Sequence, residues 1–249
     1  MRRFGFVVWL GACAARSGGD VGRPGAEPAA IFADPLLFSQ AAVDETDRDE
    51  ADRALDAGRK PAEMLAFFGV MPGMAVGEIG SGGGYTAELL ARTVGPVGRV
   101  YGQNSPLILE RFAEAPWADR LGKPVMATVT RLDTEFAAPF PAELDGSLDV
   151  VLDVLFYHDT VWMEVDRAAM NAAIFRALKP GGVYGIVDHA ARPEDGATVT
   201  QTLHRIDERV VIDEITAADD ARDWNPSPRA AGERRGESDR FVLRFRKPL

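Results

Sequence analysis

The chain has one cysteine in 249 residues, only three histidines, and 28 basic against 38 acidic side chains, a formal charge of −10. Each shortage excludes something. A lone Cys13 cannot form an intramolecular disulfide, so the fold rests on a packed core, which a chain of this length can supply. The deficit of positive charge argues against a nucleic-acid binder, which needs clustered Lys and Arg to neutralise phosphates. The local exception, Arg229, Arg234, Arg235, Arg240, Arg244, Arg246 and Lys247, reads as a solvated tail ending on an edge strand. Apolar runs such as residues 4–10 fall far short of the roughly 20 residues that span a bilayer. Three histidines, His158, His189 and His204, show no tight ligand spacing, so no metal site is assigned.

What is present begins with a basic start, Arg2-Arg3, an apolar stretch, and Leu10-Gly11-Ala12-Cys13. This outline predicts an export signal over residues 1–12. The four residues ending at Cys13 resemble a bacterial lipobox, which implies a lipidated Cys13 as the sole membrane attachment and a cell-envelope location. Residues 13–34, rich in Gly, Ala and Pro, then serve as a flexible tether. The alternative is a cytoplasmic protein.

From residue 35 to 249 one domain is expected. Residues 39–58 read as a charged surface helix, and 61–68 as a second helix with Pro61 in its first turn. Strands are predicted at 74–79, 99–103, 124–131, 147–157, 183–188 and 240–246, with helices at 85–94, 166–178 and 197–217. The 147–157 run is nearly continuous in apolar residues, as in a buried central strand. The last strand alternates strictly, with Phe241, Leu243 and Phe245 on one face. Helices alternating with strands imply an α/β, Rossmann-like, doubly wound and mostly parallel sheet of six to seven strands, with an antiparallel strand at the C-terminus.

Between the first strand and its helix lies Glu78-Ile79-Gly80-Ser81-Gly82-Gly83-Gly84. Ligands of open α/β sheets bind outside the carboxyl ends of the strands, where such a loop sits. Glycines let the backbone turn sharply and approach a ligand closely. The spacing does not fit G-x-G-x-x-G, which disfavours a dinucleotide oxidoreductase. It resembles instead the first motif of class I S-adenosylmethionine-dependent methyltransferases. Leu178-Lys179-Pro180-Gly181-Gly182 resembles the turn before that family's fifth strand, and Leu148-Asp149-Val150-Val151-Leu152 its fourth strand. Residues 48–247 resemble a group of predicted bacterial methyltransferases that often carry export signals, through Ala57-Gly58-Arg59-Lys60-Pro61, Phe156-Tyr157-His158-Asp159, Val187-Asp188-His189-Ala190 and Leu203-His204-Arg205-Ile206-Asp207.

The resemblance implies S-adenosyl-L-methionine as cofactor. Glu78 would orient the loop beside the amino acid moiety, with Gly80, Ser81, Gly82, Gly84 and Tyr85 lining it. Gln103 and Asn104 stand where members usually carry an acid that grips the ribose. Leu132 and Asp133 fall at the adenine position, and Asp153 lies near the end of the fourth strand. A typical member has an apolar sixth strand, and none is legible between residues 218 and 236.

Methyl transfer from a sulfonium is an in-line displacement, dominated by alignment and desolvation. A base matters only when the acceptor must lose a proton. His158 and His189 follow the fourth and fifth strands, so the fold brings them to one crevice. His158 is the first candidate for the base, with Tyr157 and Asp159 as orienting neighbours and His189 as second candidate. The segment Phe156-Tyr157-His158-Asp159 replaces the N-P-P-Y of target-base enzymes, which favours a small-molecule acceptor. The competing reading is a non-catalytic nucleoside-binding envelope protein on the same fold.

Overall fold

The computed structural model describes residues 34–217 and 239–249 in full and residues 225–228 as backbone. The export signal, Cys13 and the tether lie outside the described residues. Residues 34–249 form one compact unit. No helix among the described residues is long and apolar enough to cross a membrane.

Three helices lead into the sheet: α1 (Pro35–Asp44), α2 (Glu50–Arg59) and α3 (Pro61–Phe68). The single helix expected over 39–58 is therefore two. Asp34 caps α1 by accepting from the Leu36 amide at 2.9 Å. The chain turns between the two helices, and the buried Arg48 holds that turn by donating to the Val43 carbonyl and to Asp56. Between α2 and α3, Lys60 adopts a left-handed conformation, φ 45°.

The Rossmann-like core then runs β1 (Ala75–Ile79), α4 (Tyr85–Val94), β2 (Arg99–Asn104), α5 (Pro106–Ile108), a π turn, α6 (Glu114–Leu121), a 3₁₀ turn (Pro124–Thr128), β3 (Val129–Asp133), β4 (Leu148–Val154), α7 (Tyr157–Trp162), α8 (Arg167–Ala177), β5 (Leu178–His189), α9 (Thr200–Leu203), α10 (Glu208–Ala217), β6 (Asn225–Pro228) and β7 (Arg240–Arg246). The strand order is β3-β2-β1-β4-β5-β7-β6. The first five strands are parallel, and β7 is antiparallel to both β5 and β6.

Side chains alternate across this sheet as the pleat demands. Val76, Val100, Val150, Leu152 and Val183 join α3 and α4 on one face. Ile79, Val151, Tyr184, Ile186 and the Phe241, Leu243, Phe245 row join α8 and α10 on the other.

Four further expectations are corrected. The strand expected over 124–131 begins only at Val129, because Pro124 opens a 3₁₀ turn whose backbone bonds are local. The strand expected over 147–157 ends at Val154, and Tyr157 already starts a helix. The helix expected over 197–217 is broken at His204, which sits in the left-handed region at φ 51°. The sixth strand is present at Asn225–Pro228, pairing with β7. Two prolines in four residues hide it from sequence reading, but the outermost strand of the order tolerates them because one of its edges pairs with no strand among the described residues.

Candidate functional site

The carboxyl ends of β1, β2, β4 and β5 converge where the strand order reverses, between β1 and β4. The loop after β1 owes its shape to three glycines in the left-handed region: Gly80 (φ 61°), Gly82 (φ 53°) and Gly84 (φ 83°). Their surroundings differ. A Cβ on Gly80 would lie 2.6 Å from the Phe156 ring, and one on Gly84 would strike the buried Trp117. Gly82 alone of the three faces open space.

The loop is pinned to the end of β2. The Ser81 amide donates to the Gln103 carbonyl at 2.9 Å. The Gly80 amide donates to Gln103 Oε1 at 3.2 Å, and the Gly82 amide to Asn104 Oδ1 at 2.8 Å. Asn104 Nδ2 returns a bond to the Gly82 carbonyl at 3.1 Å, and Gln103 Nε2 donates to the Thr134 carbonyl at 2.6 Å. Both amides at the expected ribose position are therefore engaged in shaping the loop, and both are fully buried.

Glu78 is buried at the end of β1, and its Oε2 has no hydrogen-bond partner. Burial pushes its carboxyl up to about 7, against the opposing pull of the Ser81 and Thr86 hydroxyls and of Arg120. Tyr85 turns away from this space. Its hydroxyl donates to Asp56 Oδ1 at 2.7 Å, and the Arg59 guanidinium stacks 4.5 Å from its ring centre. Leu132 is half-buried at the end of β3, while Asp133 is exposed and paired with Arg131, which also grips Glu114.

The β4 and β5 ends carry charge. Asp153 is fully buried, and neither of its carboxylate oxygens has a hydrogen-bond partner. Burial and the neighbouring Asp188 raise its carboxyl well above the ordinary range. Leu155 then takes a left-handed turn, φ 61°, which sets Phe156 against Gly80. His158 is buried, and its Nδ1 lies 2.7 Å from Asp188 Oδ1, while its amide donates to Asp188 Oδ2 at 2.8 Å. Its Nε2 is 3.2 Å from Asp159 Oδ1. Burial opposes the proton on this ring, but the two carboxylates prevail and raise it to about 10.

His158 is thus held as an imidazolium at neutral pH, a poor base and a good charge-holder. His189 behaves oppositely: burial, followed by the Arg240 charge, lowers it to about 4, so it is neutral. His204 is exposed, with Nδ1 3.2 Å from Asp159 Oδ1. Tyr157 does not join the group. It is fully buried, and its hydroxyl lies 2.9 Å from both Glu214 and Asn171 on the helix layer.

Sequence reasoning missed Phe156 as part of this rim and Arg59 as a charge that acts on Glu78. Phe156 had a signal: it follows the strand that pairs with β1, in a register that sets Ile79 beside Asp153. Arg59 had none beyond the Gly58-Arg59-Lys60-Pro61 string, because its position depends on how α2 packs.

The model of the protein-L-isoaspartate (D-aspartate) O-methyltransferase family matches residues 37–114, a stretch that includes the glycine loop. Among solved structures, the chain resembles a SAM-dependent methyltransferase from Aquifex aeolicus, with 18% identity and a TM-score of 0.57 over 86% of this chain and 98% of that one. It also resembles an arsenic(III) S-adenosylmethionine methyltransferase from Chlamydomonas reinhardtii, at 21% identity and a TM-score of 0.54, covering 85% and 73%. The cyclase SpnF matches comparably, at 17% identity and a TM-score of 0.53, covering 86% and 93%. These likenesses show the fold, and one fold hosts many reactions.

Proposed function

We propose that this chain, which has the class I S-adenosylmethionine-dependent methyltransferase fold, binds S-adenosyl-L-methionine at the β1–β4 rim and methylates a small-molecule acceptor. The observation that carries the reading is the open space at Gly82 on a rim with two buried carboxyls that have unpartnered oxygens, Glu78 Oε2 and both oxygens of Asp153. Buried polar atoms left unsatisfied cost about 1–3 kcal/mol each, and a polar ligand relieves that cost. An adenosyl sulfonium bearing an ammonium and ribose hydroxyls has the donors and the positive charge these carboxyls lack.

In this reading Glu78 holds the amino acid end, and Gly80, Ser81, Gly82 and Gly84 shape the cradle. Gln103 and Asn104 act by fixing the loop rather than by gripping the ribose, and Leu132 and Asp133 lie toward the adenine. The bound cofactor would supply an activated methyl group. The chain's own side chains then align the acceptor and exclude water. His158, held as an imidazolium by Asp188 and Asp159, would place a positive charge beside an electron-rich acceptor atom. His189, neutral at pH 7, offers a lone pair toward the site, but burial and the Arg240 charge disfavour its protonated form and make it a weak base. Tyr157 supports the site from beneath.

The small-molecule acceptor follows from the acidic charge and from Phe156-Tyr157-His158-Asp159 in place of a base-binding motif. A cell-envelope location through Cys13 is part of the same proposal. Comparison of Cys13→Ser with the wild type by membrane fractionation tests it, and two soluble cytosolic proteins would reject it.

Calorimetry of the purified full chain with S-adenosylhomocysteine tests the cofactor. One site per chain is expected, together with a co-purifying adenosyl compound by mass spectrometry. A folded protein that takes up neither is incompatible with the reading. Binding without turnover on any acceptor would favour the nucleoside-binding module instead, a role consistent with neutral amides at the ribose position.

A further inference from the structure

Beside the cofactor cradle, three side chains converge that no step above requires together. His158 Nε2, Asp159 Oδ1 and His204 Nδ1 all lie within 4.8 Å of one another. Asp159 Oδ1 is 3.2 Å from each of the two imidazole nitrogens. Two histidines and a carboxylate about a tetrahedral ion, with bonds of about 2.0–2.1 Å, would place their donor atoms about 3.4 Å apart.

Each ligand is held from behind. Asp188, fully buried, accepts at His158 Nδ1 and so directs Nε2 toward Asp159. A carboxylate behind a ligating imidazole is the usual supporting arrangement in such sites, because it fixes the ring and raises its basicity. Trp162 Nε1 donates to Asp159 Oδ1 at 2.7 Å and orients that carboxylate.

His204 is delivered by strain. It ends α9 in the left-handed region at φ 51°, a conformation that costs a residue with a Cβ about 1–2 kcal/mol. The next residues are stitched to the end of β5: the Ile206 amide donates to the His189 carbonyl, and Arg205 donates to the Ala190 carbonyl. A glycine would serve the turn more cheaply, so a histidine there points to use of its ring.

The other acidic group of this kind, Asp49, Asp52 and Glu88, is already neutralised by Arg92, Arg120 and Lys123. No arginine or lysine pairs with Asp159 or Asp188 among the described residues, and Asp153 lies close by. The surroundings suit a dication.

We propose that His158, Asp159 and His204 form a binding site for a divalent transition-metal ion, zinc or a metal of similar preference, with Asp188 and Trp162 as positioning residues. Binding requires each imidazole to present the nitrogen that faces Asp159 to the ion as a lone pair. Three protein ligands leave a position for water or, if the methyltransferase reading holds, for the oxygen or sulfur of the acceptor. The metal site itself does not depend on that reading.

The test uses the full chain, stripped with a chelator and dialysed. Cobalt(II) is added while visible ligand-field absorption is followed, and zinc(II) binding is measured by calorimetry. One ion per chain with a low-symmetry, four- or five-coordinate cobalt spectrum is expected. His204→Ala, an exposed change, should abolish the spectrum without altering the melting temperature. Trp162→Phe should weaken zinc binding by about 10-fold, the range of an orienting partner. A folded wild type that binds neither ion, or a His204→Ala variant with unchanged spectrum and affinity, overturns the proposal. S-adenosylhomocysteine binding measured in the stripped protein fails or succeeds separately, so loss of one reading is distinguishable from loss of the other.

Discussion

The two halves of the C-terminal rim solve the same problem in opposite ways. At β1 and β2 the loop is held by neutral amides, and Gln103 and Asn104 satisfy the loop amides and are themselves satisfied. At β4 and β5 the rim gathers Asp153, Asp188 and Asp159 around one buried imidazolium, and Asp153 is left without a hydrogen bond. In the first half the loop backbone is satisfied and provides a shape, with Glu78 Oε2 and Ser81 Oγ left without partners beneath it. The second holds uncompensated charge, which stabilises nothing by itself and becomes useful when something binds.

Substitutions should divide along this line. The largest effect is expected at Asp188. Asp188→Ala leaves His158 with one of its two carboxylates and should cost about 3–5 kcal/mol in urea unfolding. A loss below 1 kcal/mol would mean that the pair is not the keystone of its half.

Glu78 is next. Its carboxyl is raised to about 7 by burial, so the fold favours the protonated form. The resulting stability is complete below the ordinary value of 4.5 and is lost as pH rises through about 7. Relative to Glu78→Gln, the wild type should therefore lose about 3 kcal/mol over that window. Parallel stability curves for the two proteins would contradict this. S-adenosylhomocysteine, whose ammonium favours the ionised carboxylate, should flatten the difference.

The glycines offer a sharper contrast within the neutral half. Gly80→Ala meets both a left-handed backbone and the Phe156 ring and should cost about 2–4 kcal/mol. Gly82→Ala meets only the backbone penalty, about 1 kcal/mol, yet should weaken cofactor binding because its Cβ points into the open space. Equal stability losses would mean that Phe156 moves aside freely. Gln103→Ala should fall below Gly80→Ala, at about 1–2 kcal/mol from lost hydrogen bonds, with weaker cofactor binding through a loosened loop.

How much of this was legible in the sequence follows the same division. The glycine loop and the Phe241, Leu243, Phe245 alternation are local patterns, and each lies where its spacing placed it, whereas the β4 run is placed correctly at its start but ends three residues early. The roles of Gln103 and Asn104 were not legible, because a neutral amide at a strand end carries no mark of what it will bond. The break at His204 was hidden because histidine is not a punctuating residue, and only the stitching to Ala190 and His189 bends the chain there. His158 was legible as a candidate by its place after β4, but its charge was not. That charge depends on Asp159, its sequence neighbour, together with Asp188, thirty residues away and brought near by the pairing of β4 with β5.

The central claim is tested most directly by a crystal of the protein soaked with S-adenosylhomocysteine. The account expects density for the adenosyl compound along the Gly82 backbone, with its ammonium near Glu78 and its ribose toward the β2 end. An ordered glycine loop with that space empty, or filled by a side chain of the protein itself, would contradict it.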